Sequence, residues 1–169
     1  EPWARWVKAS TRLRIESLLG SPMTRITHVA GGDINEAHRA ECTDGRHFFI
    51  KTNPNAPSEM FQREAEGLAW LKGKHGLRVP EVFHSSKVGE PAYLIMEWIE
   101  PGRRLANFDE KLGRGLATLH SESPGQFGWH ADNFIGHLPQ SNTLEPTWIE
   151  FYRNQRLLPQ IKMASRKRK

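Results

Sequence analysis

The sequence predicts an α+β chain: a five-stranded antiparallel sheet carrying a glutamate-bearing helix, followed by further helices. Three observations predict it. Up to Gly102, short aromatic or β-branched runs are separated by turns too brief for parallel crossovers, so neighbouring strands run mostly antiparallel. A single helical segment with an apolar arc interrupts those strands after the third. Past Gly102 the period changes from two to that of a helix, with capping signals. This shift divides the chain into a first unit, 1–100, and a partial second unit, 101–169, that ends in a basic tail.

Taken in order, residues 3–19 read as an amphipathic helix with Trp6, Leu13, Leu18 and Leu19 buried, stopped by Gly20-Ser21-Pro22. Strands are expected at 25–30, 37–42 and 46–51. Gly31-Gly32 turns between the first two, and Thr43-Asp44-Gly45 forms a hairpin between the next two, since Asp-Gly accepts the positive φ of tight turns. Two prolines and two asparagines make 53–57 a loop. Residues 58–72 form a helix on which Met60, Phe61, Ala65, Leu68 and Leu71 share one arc at about 100° per residue. Glu64 falls inside that arc, whereas Glu66 lies on the far side. Strands follow at 82–85 and 93–99, joined around Gly89 and stopped by Glu100-Pro101-Gly102. Asn107 to Glu110 reads as a capping box for a helix with a Phe108, Leu112, Leu116, Leu119 stripe. Residues 121–142 read as irregular. Thr147 to Glu150 is a second capping box, opening a helix toward Leu158.

Composition narrows the classes of function. Of 169 residues, 37% are apolar and six are tryptophan, which fits a chain with a real core. The net charge is +5, but Arg166-Lys167-Arg168-Lys169 supply four of those charges and the remainder is nearly neutral. The pI of 9.6 therefore belongs mainly to the tail, and no nucleic-acid partner is expected. Cys42 is the single cysteine, so no intrachain disulfide forms and no zinc-ligand cluster exists, which suggests a reducing, cytoplasmic location. No apolar run reaches the length of a membrane span.

The residues that carry chemistry centre on Arg46-His47-Phe48-Phe49-Ile50-Lys51, an apolar strand ending in one lysine. Glu64, inside the apolar arc of the next helix, needs a cation to offset its burial. The Gly31-Gly32 turn, continued by Asp33-Ile34-Asn35, lets backbone N–H groups approach a phosphate. The strand Tyr93 to Ile99 has the character of a hinge, where the Glu97 carbonyl and Ile99 N–H, flanked by Met96 and Trp98, would bond adenine. Each feature alone has a plain structural explanation: a hairpin, a snorkelling lysine, a structural ion pair, a buried strand. Their order and spacing together point to the nucleotide-binding N-lobe of a protein-kinase-like fold, with the first helices of the C-lobe behind it.

The chain resembles the fructosamine kinases (ketosamine-3-kinases), relatives of aminoglycoside phosphotransferases. The resemblance rests on Gly31-Gly32-Asp33-Ile34-Asn35, Phe49-Ile50-Lys51-Thr52-Asn53, and Met60-Phe61 with Glu64 and Gly67-Leu68. Downstream it rests on Leu116-Ala117-Thr118-Leu119-His120, Phe127-Gly128, Asp132-Asn133, Ile135-Gly136, Pro139-Gln140-Ser141-Asn142, Trp148 and Arg156-Leu157. It implies ATP and Mg²⁺ as cofactors. It also implies a fructosamine, free or on a glycated lysine, phosphorylated at the sugar 3-hydroxyl, which leads to deglycation.

One departure limits the expectation. The family's His-Gly-Asp-Leu-Trp and Asp-Pro segments, which supply the catalytic and metal-binding aspartates, do not occur in these residues. Asp132-Asn133 matches a loop motif instead. No catalytic residue and no metal ligand is therefore assigned within 1–169, and the chain reads as an N-terminal fragment that is inactive alone. Two alternatives stand beside this reading: a non-catalytic nucleotide-binding or interaction module, and a kinase acting on an aminoglycoside or choline-type alcohol. The helices of the partial second unit are expected to expose apolar faces and to favour homodimers.

Overall fold

The computed structural model describes residues 9–32, 34–73, 77–122 and 125–166. Trp3, Trp6, Asp33 and the last three residues of the basic tail lie outside them. The elements in order are α1 (Ala9–Leu19), β1 (Met23–His28), β2 (Glu36–Cys42), β3 (His47–Thr52), α2 (Met60–Leu71), β4 (Val82–Ser85) and β5 (Tyr93–Glu97). Then come α3 (Phe108–Ser121), β6 (Asn133–Ile135), β7 (Leu138–Gln140), α4 (Trp148–Phe151), a π-helical turn (Tyr152–Leu157) and α5 (Leu158–Arg166). The chain divides into two units, the first of residues 1–74 and 78–105, the second of residues 75–77 and 106–169.

In the first unit, five strands form one sheet in the order β1-β2-β3-β5-β4, every neighbouring pair antiparallel. Period-two alternation sends Phe48 and Ile50 of β3 to one face, where they join Ile15 and Leu19 of α1 with Met23, Ala40, Cys42, Tyr93 and Ile95. The other face sets Phe61 of α2 against Leu94 and Met96, with Phe49, Ala65, Leu68 and Val82 packed around them. Strand β5 lies between β3 and β4, which is why Tyr93, Leu94, Ile95 and Met96 are all buried. Cys42 is buried in the α1 layer, and that burial pushes its thiol pKa up.

Several boundaries and one core assignment differ from expectation. Leu13 is 66% exposed; the inward face of α1 is Thr11, Ile15 and Leu19 at i, i+4, i+8, so Leu13 points outward. Strand β1 runs over Met23–His28 rather than 25–30. It starts early because the Met23 N–H donates to Glu16 Oε1 at 2.8 Å and the Met23 carbonyl accepts from Arg12 at 2.8 Å. Strand β5 ends at Glu97, two residues before the expected end. Arg46 Nη2 donates to the Leu19 carbonyl at 2.6 Å, satisfying one of the open carbonyls at the end of α1.

In the second unit the stretch 121–142 is not wholly irregular. Strands β6 and β7 pair Ile135 with Leu138 across a two-residue turn in which Gly136 takes φ +64°, a short hairpin. The Asn107 side chain makes no cap bond to α3, so that capping box does not form; Asn107 acts through its carbonyl, which accepts from Lys111 N. At Thr147 the cap does form, with Oγ1 accepting from the Glu150 N–H at 3.2 Å, but the reciprocal arm is replaced by Thr147 donating to the Glu150 carboxylate at 2.8 Å. The helix continues past Leu158 to Arg166 through the π turn. Pro159 accounts for the widening: it has no N–H for the Gln155 carbonyl, and its ring crowds that group. Arg156 Nη1 donates to the freed carbonyl at 2.9 Å.

Gly128 packs closely against neighbouring backbone. At φ +143°, a Cβ there would lie 2.6 Å from the Asn142 carbonyl oxygen and 2.9 Å from that of Thr143, both backbone. Gly128→Ala is expected to destabilise the second unit by about 2–4 kcal/mol. Chemical denaturation followed by tryptophan fluorescence checks this, with an unchanged midpoint counting against the close approach.

His38 is 1% exposed, and neither ring nitrogen has a hydrogen-bond partner among the described residues. Burial, and secondarily the nearby His28, lower its pKa from the ordinary 6.5. The unfolded chain therefore binds this proton more readily than the folded one. Its stabilising effect is complete above about pH 6.5 and is lost as pH falls below it, by at most about 1.4 kcal/mol per pH unit. Urea midpoints at pH 7.5 and 5.5 measure the loss, and His38→Leu is expected to flatten that slope.

Candidate functional site

The site grows out of the alternation along β3. Lys51 shares the α2-facing side of the strand with Phe49, and its register partners are Ala37 on β2 and Leu94 on β5. Ala37 contributes only a methyl group, which leaves room beside the lysine stem. From α2, Glu64 meets the ammonium with both oxygens, at 2.7 and 2.9 Å. The two side chains are 21% and 32% exposed, so the pair is partly desolvated yet open on one side. Lys51 Nζ also lies 5.9 Å from the centroid of the Phe61 ring. Glu66 faces away from this pair and binds Arg63 and Gln62.

The glycine turn closes the hairpin between β1 and β2, at whose base the Val29 N–H donates to the Ala37 carbonyl at 2.8 Å. Gly31 takes φ +115° and Gly32 φ +92°, a region closed to most side chains. Both are exposed, and a Cβ on Gly31 would meet nothing within 4 Å. The glycines therefore serve backbone shape and open approach rather than packing. Beyond them, the Ile34 carbonyl and the Asn35 side chain both accept from Asn53 Nδ2, at 3.1 and 2.9 Å. Asp33 lies outside the described residues.

At the end of β5, Met96 is buried on the α2 side of the sheet. The Glu97 N–H donates to the Glu81 carbonyl at 2.8 Å. The Glu97 carboxylate bonds Arg78, which holds its pKa below the usual range. Trp98 stacks on Phe49 with ring centroids 6.2 Å apart and planes 21° apart, and the Arg39 guanidinium sits 5.1 Å over the Trp98 ring. Ile99 follows, half-buried.

Chemically, this arrangement offers a fixed ammonium, glycine N–H groups free of side-chain shielding, and a broad aromatic wall on one unit. Those elements suit an anionic ligand with a planar ring. The sequence alone does not single out Phe49, Arg39 and Asn53 as site residues. Phe49 is reachable from its period-two relation to Lys51, and Asn53 closes the motif Phe49-Ile50-Lys51-Thr52-Asn53 without a role of its own, but nothing local marks Arg39. Among the described residues no three His, Cys, Asp or Glu side chains stand together to hold a metal ion. In the second unit, Asp132 Oδ1 accepts from the Asn142 N–H at 2.8 Å, a loop-stabilising role. The buried Asn142 is held further by the Ala131 carbonyl at 2.9 Å and by Arg156 at 2.5 Å.

Comparison with known proteins identifies the family of the chain. The chain fits the model of the fructosamine kinase family over residues 6–169. A protein named probable ketoamine kinase from Enterococcus faecium is 38% identical, across 83% of this chain and 48% of its own length. A chloroplastic protein-ribulosamine 3-kinase from Arabidopsis thaliana is 41% identical, across 84% of this chain and 44% of its own. The chain thus spans about half the length of these relatives. A crystal structure assigned as a fructosamine-3-kinase from Thermobifida fusca superimposes with a TM-score of 0.77 at 32% identity, covering 94% of this chain and 55% of that one. An aminoglycoside phosphotransferase, solved with streptomycin and ATP, has a TM-score of 0.50 at 16% identity over 69% of this chain and 41% of that one, and shares the fold alone. With its five-stranded antiparallel sheet and its match along residues 6–169, the chain has a protein-kinase-like fold and belongs to the fructosamine kinase family.

Proposed function

We propose that the first unit is the N-lobe that binds ATP in a ketosamine kinase, an enzyme that phosphorylates the sugar 3-hydroxyl of fructosamines and so promotes deglycation. The carrying observation is the two-oxygen clasp of Glu64 on Lys51 at 2.7 and 2.9 Å. Such a clasp orients the ammonium without closing it off, and the remaining approach suits α- and β-phosphate oxygens. The N–H groups of Gly31 and Gly32, with the turn running through Asp33, Ile34 and Asn35, would receive the distal phosphates. The Glu97 carbonyl and the Ile99 N–H, flanked by Met96 and Trp98, would bond adenine. The residues present therefore fit ATP.

No Mg²⁺ ligand is assigned within residues 1–169; among the described residues no three His, Cys, Asp or Glu side chains stand together. Residues 101–169 would form the start of the C-lobe. Their acids include Asp132 and Glu145, both engaged in holding loops and helix: Glu145 Oε1 accepts from Asn154 at 3.0 Å and Gln155 at 2.9 Å. The chain by itself is proposed to bind nucleotide without turning it over. Phosphate transfer by these 169 residues to a fructosamine, an aminoglycoside or choline would overturn the inactivity and name the substrate class. A cytoplasmic location is proposed from the single cysteine; no described helix is long and apolar enough to cross a membrane.

Lys51→Ala is expected to weaken ATP binding about 10- to 100-fold by calorimetry, the loss of a charge-assisted phosphate contact. Glu64→Gln is expected to weaken it less, because the ammonium survives but loses its orientation. Equal affinity in Lys51→Ala would remove the lysine from the phosphate site.

Within the second unit Phe108, Leu112 and Leu116 of α3 and Ile149, Leu158 and Ile161 of the last helix are exposed. The chain is proposed to form homodimers through these faces. Sedimentation is expected to show a dimer at micromolar concentration that Ile149→Glu with Ile161→Glu converts to monomer; a wild-type chain that stays monomeric would reject the pairing.

A further inference from the structure

Asn53 sits just past the end of β3, two residues after Lys51, and is 4% exposed. Both ends of its carboxamide are hydrogen-bonded. Both Nδ2 donors go to the far leg of the glycine turn, to the Ile34 carbonyl at 3.1 Å and Asn35 Oδ1 at 2.9 Å. Its Oδ1 accepts from the Asn55 N–H at 2.8 Å. Its own N–H donates to the Ala92 carbonyl, just ahead of β5, at 3.3 Å. Asn53 thus links the strand carrying Lys51 to the return of the glycine turn through its side chain, and to the approach to β5 through its backbone N–H.

Packing does not hold the turn in register with the lysine. Gly31 and Gly32 have positive φ; a Cβ on Gly31 would meet nothing within 4 Å, and one on Gly32 would have the Asn35 carbonyl oxygen at 3.7 Å as its sole neighbour within that distance. The backbone pairing between β1 and β2 stops short of them, at the Val29 to Ala37 bond. A buried amide whose donors are satisfied by both a carbonyl and a side-chain oxygen has one good geometry and resists displacement.

We infer that Asn53 is a positioning residue, which fixes the glycine turn at a set distance from Lys51 so that turn amides and ammonium engage the same phosphate chain. This deepens the nucleotide-binding reading and rests on it. Adenosine, which carries no phosphate, should not sense Asn53, whereas ADP and ATP should.

The test uses the 169-residue chain and calorimetric titration with adenosine, ADP and ATP. Asn53→Ala and Asn53→Asp, the latter replacing donors with an acceptor that faces two oxygens, are expected to weaken ADP and ATP about tenfold while adenosine stays within about twofold. The Asn55→Ala control keeps the backbone N–H of position 55 and is expected to match wild type. Equal weakening of all three ligands, or none, would reduce Asn53 to a fold residue. Hydrogen exchange without ligand gives an independent readout: amides of the 31–35 turn should exchange about tenfold faster in Asn53→Ala, with those of β2 unchanged. Unchanged exchange in the turn overturns the positioning role whether or not nucleotide binds. A wild-type chain that binds none of the three ligands would defeat the nucleotide reading while leaving the exchange result to decide Asn53.

Discussion

The first unit depends on the period-two alternation of β3. One strand has to face two differently covered layers, and its sequence sorts them: Phe48 and Ile50 enter the layer under α1, while Phe49 and Lys51 enter the layer that α2 only partly covers. A shift of one residue would place the lysine among Ile15, Tyr93 and Ile95, where no carboxylate waits for it. The apolar core on one side therefore holds the charged pair in place on the other. Packing and site are two faces of the same register.

Much of this is legible without coordinates, for a physical reason. Periodic signals survive in sequence, so the five strands, their turns and the placement of Glu64 on the covered face of α2 can be read directly. Glu64 stands out because a carboxylate within an apolar arc is costly unless paired, and Lys51 is the nearby strand-end cation. Leu13 faces outward against expectation because a helix of only eleven residues has room for one buried stripe, and Thr11, Ile15 and Leu19 take it.

The parts that the sequence hides share a different character. The β6–β7 hairpin has strands of three residues each, too short for alternation to show. The π turn follows from one proline whose missing donor acts four residues upstream. Asn53 bonds groups 18 and 19 residues away, and long-range side-chain bonds leave no periodic trace. The Asn107 capping box fails because the motif is only a propensity, and backbone geometry at φ −99°, ψ 21° sends the side chain elsewhere.

The buried thiol of Cys42 carries a consequence of its own. It is the single sulfhydryl of these 169 residues, it sits in the layer between α1 and the sheet, and burial pushes its pKa up. A thiol-directed reagent can reach it only when that layer parts. Its alkylation rate is therefore a built-in clock for opening of the α1 layer, readable by mass spectrometry without any introduced label.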